Sequence, residues 1–169
     1  MKQTGKVEFI NNILFAVIVF ALAWFMFFYE HAAITAYAGT LEQEERAGFA
    51  VAMIIVYIFY YVFGGFCLIV DAVCTFAFTM SLKNVLLNNG ESKRRIVIIV
   101  LKAVACVFIG YFAGVTFDTA HATILSKIVY CVAAVCCVAS VVYSIYSLCV
   151  CKAEKQKEQE EITLQEGDK

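Results

Sequence analysis

Residues Ile96–Phe117, IVIIVLKAVACVFIGYFAGVTF, carry a single charged side chain, Lys102, and are bounded by Arg94-Arg95 on one side and Asp118 on the other. An α-helix needs roughly 20 apolar residues to cross a hydrocarbon core about 30 Å thick, so this stretch reads as one membrane span. Three more apolar stretches surround it: Phe9–Tyr29, Ala47–Leu82 and Ile128–Val150. Of the 169 residues, 63% are hydrophobic and 16% charged, more apolar surface than a soluble chain of this length buries. The expected fold is an all-α integral membrane protein, with four transmembrane helices in an antiparallel up-down bundle over residues 1–151. A charged cytoplasmic tail, 152–169, reads as a fraying helix end followed by disorder.

The second stretch is too long for one straight crossing and too short for two. As a single helix it would measure about 54 Å, so it must tilt, project or lie partly in the interface. Its one internal breaker is Gly64-Gly65. Between the spans, Glu30–Arg46 is a moderately polar loop with room for a partial interfacial helix. Lys83–Arg95 turns at Asn88-Asn89-Gly90, and Asp118–Lys127 is short enough to make the last two helices antiparallel neighbours.

Positive charge alternates between the connections. Lys2 and Lys6 precede the first span, Lys83, Lys93, Arg94 and Arg95 lie in the second connection, and Lys152, Lys155 and Lys157 follow the last span. The other side holds only Arg46 and Lys127, among several acids. By the positive-inside rule both termini are cytoplasmic. Ala36-Tyr37-Ala38 resembles a cleavage site, but it lies well beyond an apolar run longer than a signal peptide uses, so the first span is expected to stay as an anchor.

Two stripes of small or polar residues follow helical spacing. On the fourth span Ser126, Tyr130, Ala133, Cys137, Ser140, Ser144, Ser147 and Cys151 recur in steps of three and four, and Gly110-x-x-x-Gly114 offers a similar face on the third. Such faces let helices approach closely in lipid, within one chain or between copies. On the second span the stripe is Gly64, Cys67, Asp71, Cys74, Phe78 and Ser81. A carboxylate at a helix centre costs about 2.5–3.5 kcal/mol on insertion scales, so Asp71 should find protein, water or a proton.

Lys102 is the nearest cation to Asp71, yet the pair is awkward. Counting from the second connection, Asp71 lies about 7.5 Å deeper, and the two side chains lean apart toward their own N-termini. Lys102 is therefore expected to snorkel toward the headgroups, with Asp71 and Lys102 as a possible ion or proton site.

The chemistry-bearing residues do not form a catalytic set. Eight cysteines all lie in, or at the cytoplasmic edge of, apolar spans, where thiols act as small fillers, although Cys149 and Cys151 sit where S-acylation occurs in eukaryotes. The histidines, His31 and His121, accompany Glu30 and Asp118, a thin constellation from which no metal site is expected. Tyr57, Tyr60 and Tyr61 cluster where they either anchor, pack or line a cleft. No enzyme activity and no cofactor are expected.

The functional expectation is a multi-pass protein, in the cell membrane if the host is bacterial, that acts non-enzymatically through packing. Its partners would be the lipid bilayer and another membrane protein or a second copy, with no nucleic acid. The alternative is a small transporter or ion or proton pathway using Asp71, with Lys102 and the serine stripe.

Overall fold

The computed structural model describes residues 2–86, 92–118 and 122–167, and every regular element in them is helical. Helix α1, Lys2–Phe25, passes through a π-helical turn, Met26–Glu30, into α2, His31–Thr40. Helix α3, Gln43–Val56, passes through a second π-helical segment, Tyr57–Gly64, into α4, Gly65–Leu86. Helices α5, Ser92–Asp118, and α6, Ile124–Gly167, complete the chain. The Asn88–Gly90 turn and His121 lie outside the described residues.

Four helices are long and apolar enough to cross a membrane: Lys6–Thr40, Tyr61–Ser81, Arg94–Asp118 and Ile124–Val150. The second of these lies within the 47–82 stretch read from sequence, and helix is continuous there from Gln43 through Leu86. Helix carries through Glu30–Thr40, where a moderately polar loop with room for a partial helix was expected, since no proline or glycine pair interrupts it. The break falls at Leu41 and Glu42, both extended, with ψ of 151° and 159°. Arg46 fixes this corner from within the next helix. Its Nε donates to the Leu41 carbonyl at 2.7 Å and its Nη2 to the Gly39 carbonyl at 2.5 Å, satisfying carbonyls that the end of α2 leaves open. At the start of α6, Thr123 Oγ1 accepts the Ser126 backbone N–H at 3.1 Å, an ordinary N-cap. Helix α6 then runs on through the charged tail to Gly167, beyond the fraying end read from sequence. Glu, Lys and Gln are good helix formers, and no breaker precedes Gly167.

Helix α1 packs on α4 and α6, and α5 packs on α4 and α6, closing a ring of four. Its core is apolar in the middle: Phe15, Val19, Leu22, Met26, Leu68, Ile109, Phe112 and Cys137 are buried together. The outward faces are apolar as well, with Val17, Phe20, Trp24, Phe66, Val107 and Val135 exposed. Gly64 and Gly65 allow the closest approaches. A Cβ at Gly64 would strike the Phe112 ring and one at Gly65 the Phe27 ring, whereas a Cβ at Gly110 or Gly114 would meet nothing within 4 Å.

Overpacking of this kind costs about 1–3 kcal/mol, so Gly64→Ala should lower the unfolding midpoint in detergent while Gly110→Ala leaves it in place. Thermal melts followed by circular dichroism on the two variants check the contrast.

Candidate functional site

The inward face of α1 carries Glu8, Asn12, Phe15, Val19, Leu22 and Met26, spaced by three and four residues, so its polar members enter the bundle at one end. Arg95 follows the same logic on α5, and Ser140, Ser144 and Ser147 on α6. These residues meet. Arg95 Nη1 lies 3.2 Å from Glu8 Oε2, which also accepts a hydrogen bond from Ser147 Oγ at 3.0 Å, and all three side chains are buried.

One turn further in lies Lys102, with 0% of its surface exposed. Its Nζ donates to Ser144 Oγ at 2.9 Å and to Ser140 Oγ at 3.0 Å, and sits 5.2 Å from the centre of the Phe15 ring. Ser144 is the hub of the cluster. Its hydroxyl donates to the Ser140 carbonyl at 3.0 Å while accepting from Lys102 and, at 3.2 Å, from Asn11 Nδ2, which uses its one proton and both lone pairs. Asn11 also reaches the Ser140 carbonyl at 3.2 Å. Steps of four and three along α6 are what place both hydroxyls on the side of α5 that Lys102 leaves.

This arrangement overturns the expectation that Lys102 snorkels. The side chain does lean toward its own N-terminus, but it turns into the bundle, because two hydroxyls and an aromatic face there replace part of the water an ammonium gives up. Glu8 pairs with Arg95, while the hydrogen bonds of Lys102 go to hydroxyls. Asn12, Thr75 and Thr79 are also buried, and Asn12 Nδ2, Asn12 Oδ1 and both threonine hydroxyls lack hydrogen-bond partners. Asn12 is one helical turn beyond Glu8, and Thr75 and Thr79 lie on α4 within two turns of Ser81, whose Oγ accepts from Arg94 Nη1 at 3.1 Å. The unused donors thus stand at about the depth of the Lys102 ammonium.

Asp71 is placed elsewhere. It is 7% exposed and borders a cavity of about 240 Å³ between α4 and α5, with Cys67, Cys74, Leu101 and Ala105 around it; its Oδ2 has no hydrogen-bond partner. The hydrogen bonds that hold Lys102 go to α6, away from that groove. Of the α4 stripe read from sequence, Gly64 and Asp71 are buried while Ser81 is exposed; the buried line passes through Leu68, Ala72, Thr75 and Thr79, about one residue round the helix. On α6, Ser126, Tyr130, Ala133, Cys137, Ser140, Ser144 and Ser147 are all buried against this chain's own helices, so that seam is used internally. Gly110 and Gly114 face outward. The side chain of Cys151 is outside the described residues, and the described cysteines are free, with Cys131, Cys136 and Cys149 exposed.

The outer constellation does not assemble. Glu30 turns inward, while His31 is exposed and packs edge-on against Tyr57, ring centroids 5.2 Å apart. Among the described residues no group of three or more His, Cys, Asp or Glu side chains is placed to hold a metal ion.

Sequence reading missed Glu8, Asn11, Asn12, Phe15, Thr75, Thr79 and Arg95. The available signal was Glu8-x-x-x-Asn12 inside an otherwise apolar run, a polar pair one helical turn apart. Comparison with family models, curated proteins and solved structures returns no match for this chain, so the geometry stands alone.

Removing one member of a buried ion pair strands the other, at about 3–5 kcal/mol, whereas replacing both with apolar residues is far milder. Arg95→Met should therefore destabilise strongly and the double variant Glu8→Met with Arg95→Met much less. Unfolding in mixed micelles with increasing SDS measures both.

Proposed function

We propose that this protein is a multi-pass membrane protein whose interior holds a small-anion site on Lys102, and that it serves as a compact ion pathway. Its four spans alternate in direction with both termini on the cytoplasmic side. Supporting the alternation, Glu8 is level with Arg95 and Ser147, while Met26, Phe112 and Tyr130 share a cavity at the far end. The apolar outward faces suit lipid, and the lysines and arginines between spans suit the orientation.

The observation that carries the reading is Lys102 itself. An ammonium without exposed surface, held by neutral hydroxyls rather than by a carboxylate, is expensive to keep inside a membrane and marks an ion-binding interior. The Lys102 ammonium and the idle donors of Asn12, Thr75 and Thr79 favour a halide-sized anion. Val19, Leu22, Met26, Leu68 and Ile109 close the interior beyond the site, so passage needs the helices to part. Asp71, in the α4–α5 groove, stands outside this path.

In proteoliposomes loaded with chloride, the wild-type protein should accelerate chloride release and Lys102→Met should reduce the rate by about tenfold or more, the factor that roughly 1.4 kcal/mol represents. Equal release from both would remove Lys102 from the mechanism. Reporter fusions should place Asn88–Gly90 on the same side as the termini.

A second reading, a packing subunit or self-associating scaffold, has one observation in its favour: Gly110 and Gly114 lie bare on the outer face of α5. Under it, Gly110→Leu with Gly114→Leu converts an oligomer in mild detergent to a monomer, read by sedimentation velocity.

A further inference from the structure

At the opposite end from Lys102, the two π-helical segments face one another across Glu30 and Tyr61. Glu30 lies four residues after Met26 and continues the inward line of α1, so that Tyr29 is 38% exposed and Glu30 only 9%. Glu30 borders a cavity of about 250 Å³ whose walls include Tyr37, Phe49, Tyr61, Phe112 and Tyr130.

Several polar groups around this cavity are already paired. Thr116 Oγ1 donates to the Phe112 carbonyl at 2.7 Å, and Thr123 and Ser126 share a hydrogen bond of 2.7 Å. Tyr61 donates to Glu30 Oε2 over a long 3.5 Å, and Glu30 Oε1 has no hydrogen-bond partner. Among the described residues that line the walls there is no lysine, arginine or histidine. A buried carboxylate oxygen without a hydrogen-bond partner asks for a donor, and aromatic rings around it favour a cationic one through their π faces. The volume lies just below the range of drug-sized pockets, which limits the ligand to a small molecule.

We propose that this cavity binds a small organic ammonium ion, a protonated primary amine on a short apolar or aromatic body, with its N–H directed to Glu30 Oε1 and its body among the aromatic walls. The site is separate from Lys102 and does not depend on the anion reading.

The test uses the full chain in maltoside micelles, titrated calorimetrically with 2-phenylethylamine and with 2-phenylethanol, its uncharged counterpart, against protein-free micelles. The amine should bind with a sub-millimolar Kd and the alcohol about tenfold or more weakly, a difference of at least roughly 1.4 kcal/mol. Glu30→Gln should bring the amine down to the level of the alcohol. Ala33→Leu, which fills the cavity from α2 and keeps the carboxylate, should weaken both ligands. The proposal is overturned if the amine does not bind, if the alcohol binds as tightly, or if Ala33→Leu leaves the amine's affinity unchanged. Should Glu30→Gln fail to fold, the comparison of ligands on the wild type together with Ala33→Leu still decides.

Discussion

Keeping the Lys102 ammonium out of contact with solvent is the constraint around which this bundle is arranged. An unpaired buried cation is tolerable only where several dipoles converge on it, and the convergence here needs three helices at once. Helix α5 brings the amine, α6 brings Ser140 and Ser144 one turn apart, and α1 brings the Phe15 face together with Asn11, which steadies the same serine. Rotating any one of these helices by a single residue position would strand the charge. The Glu8–Arg95–Ser147 contact one turn away fixes the same three helices, so the two clusters hold a common register.

The all-helical class and the four long apolar helices were readable from the chain, because the length of an apolar run acts at the scale of whole helices. Four helices of spanning length follow from the apolar runs, and the inward serine line of α6 follows from its periodicity. What periodicity cannot give is rotation about a helix axis when several faces are apolar. Whether Lys102 turned to lipid or to the interior depended on Ser140 and Ser144, which lie far away in sequence. The offset on α4 has the same origin. Its buried line is chosen by Leu68 and Ala72 packing in the core rather than by the polar stripe, with Gly64 and Gly65 admitting the rings of Phe112 and Phe27.

The π-helical segments were equally hidden. They carry no local signature in MFFYE or YIFYYVFG. Glu30 was read as a loop residue because the apolar run ends at Tyr29, although its spacing continues the inward line of α1. The break at Leu41-Glu42 likewise lacks proline or glycine at the corner itself. Arg46, reaching back to the Leu41 and Gly39 carbonyls, holds the corner from the following helix, and a long-armed donor of that kind is not distinguishable in sequence from any other exposed arginine.

Between the two polar ends lies the apolar layer of Val19, Leu22, Met26, Leu68 and Ile109, which sets the distance between them. Asn12 and Glu30 are separated along α1 by about 27 Å of helix rise, a distance at which unit charges interact by only about 0.6 kcal/mol for an effective dielectric near 20. The cationic and anionic chambers are therefore nearly deaf to one another. Evolution or an engineer can retune either one alone, and changes made in both should simply add.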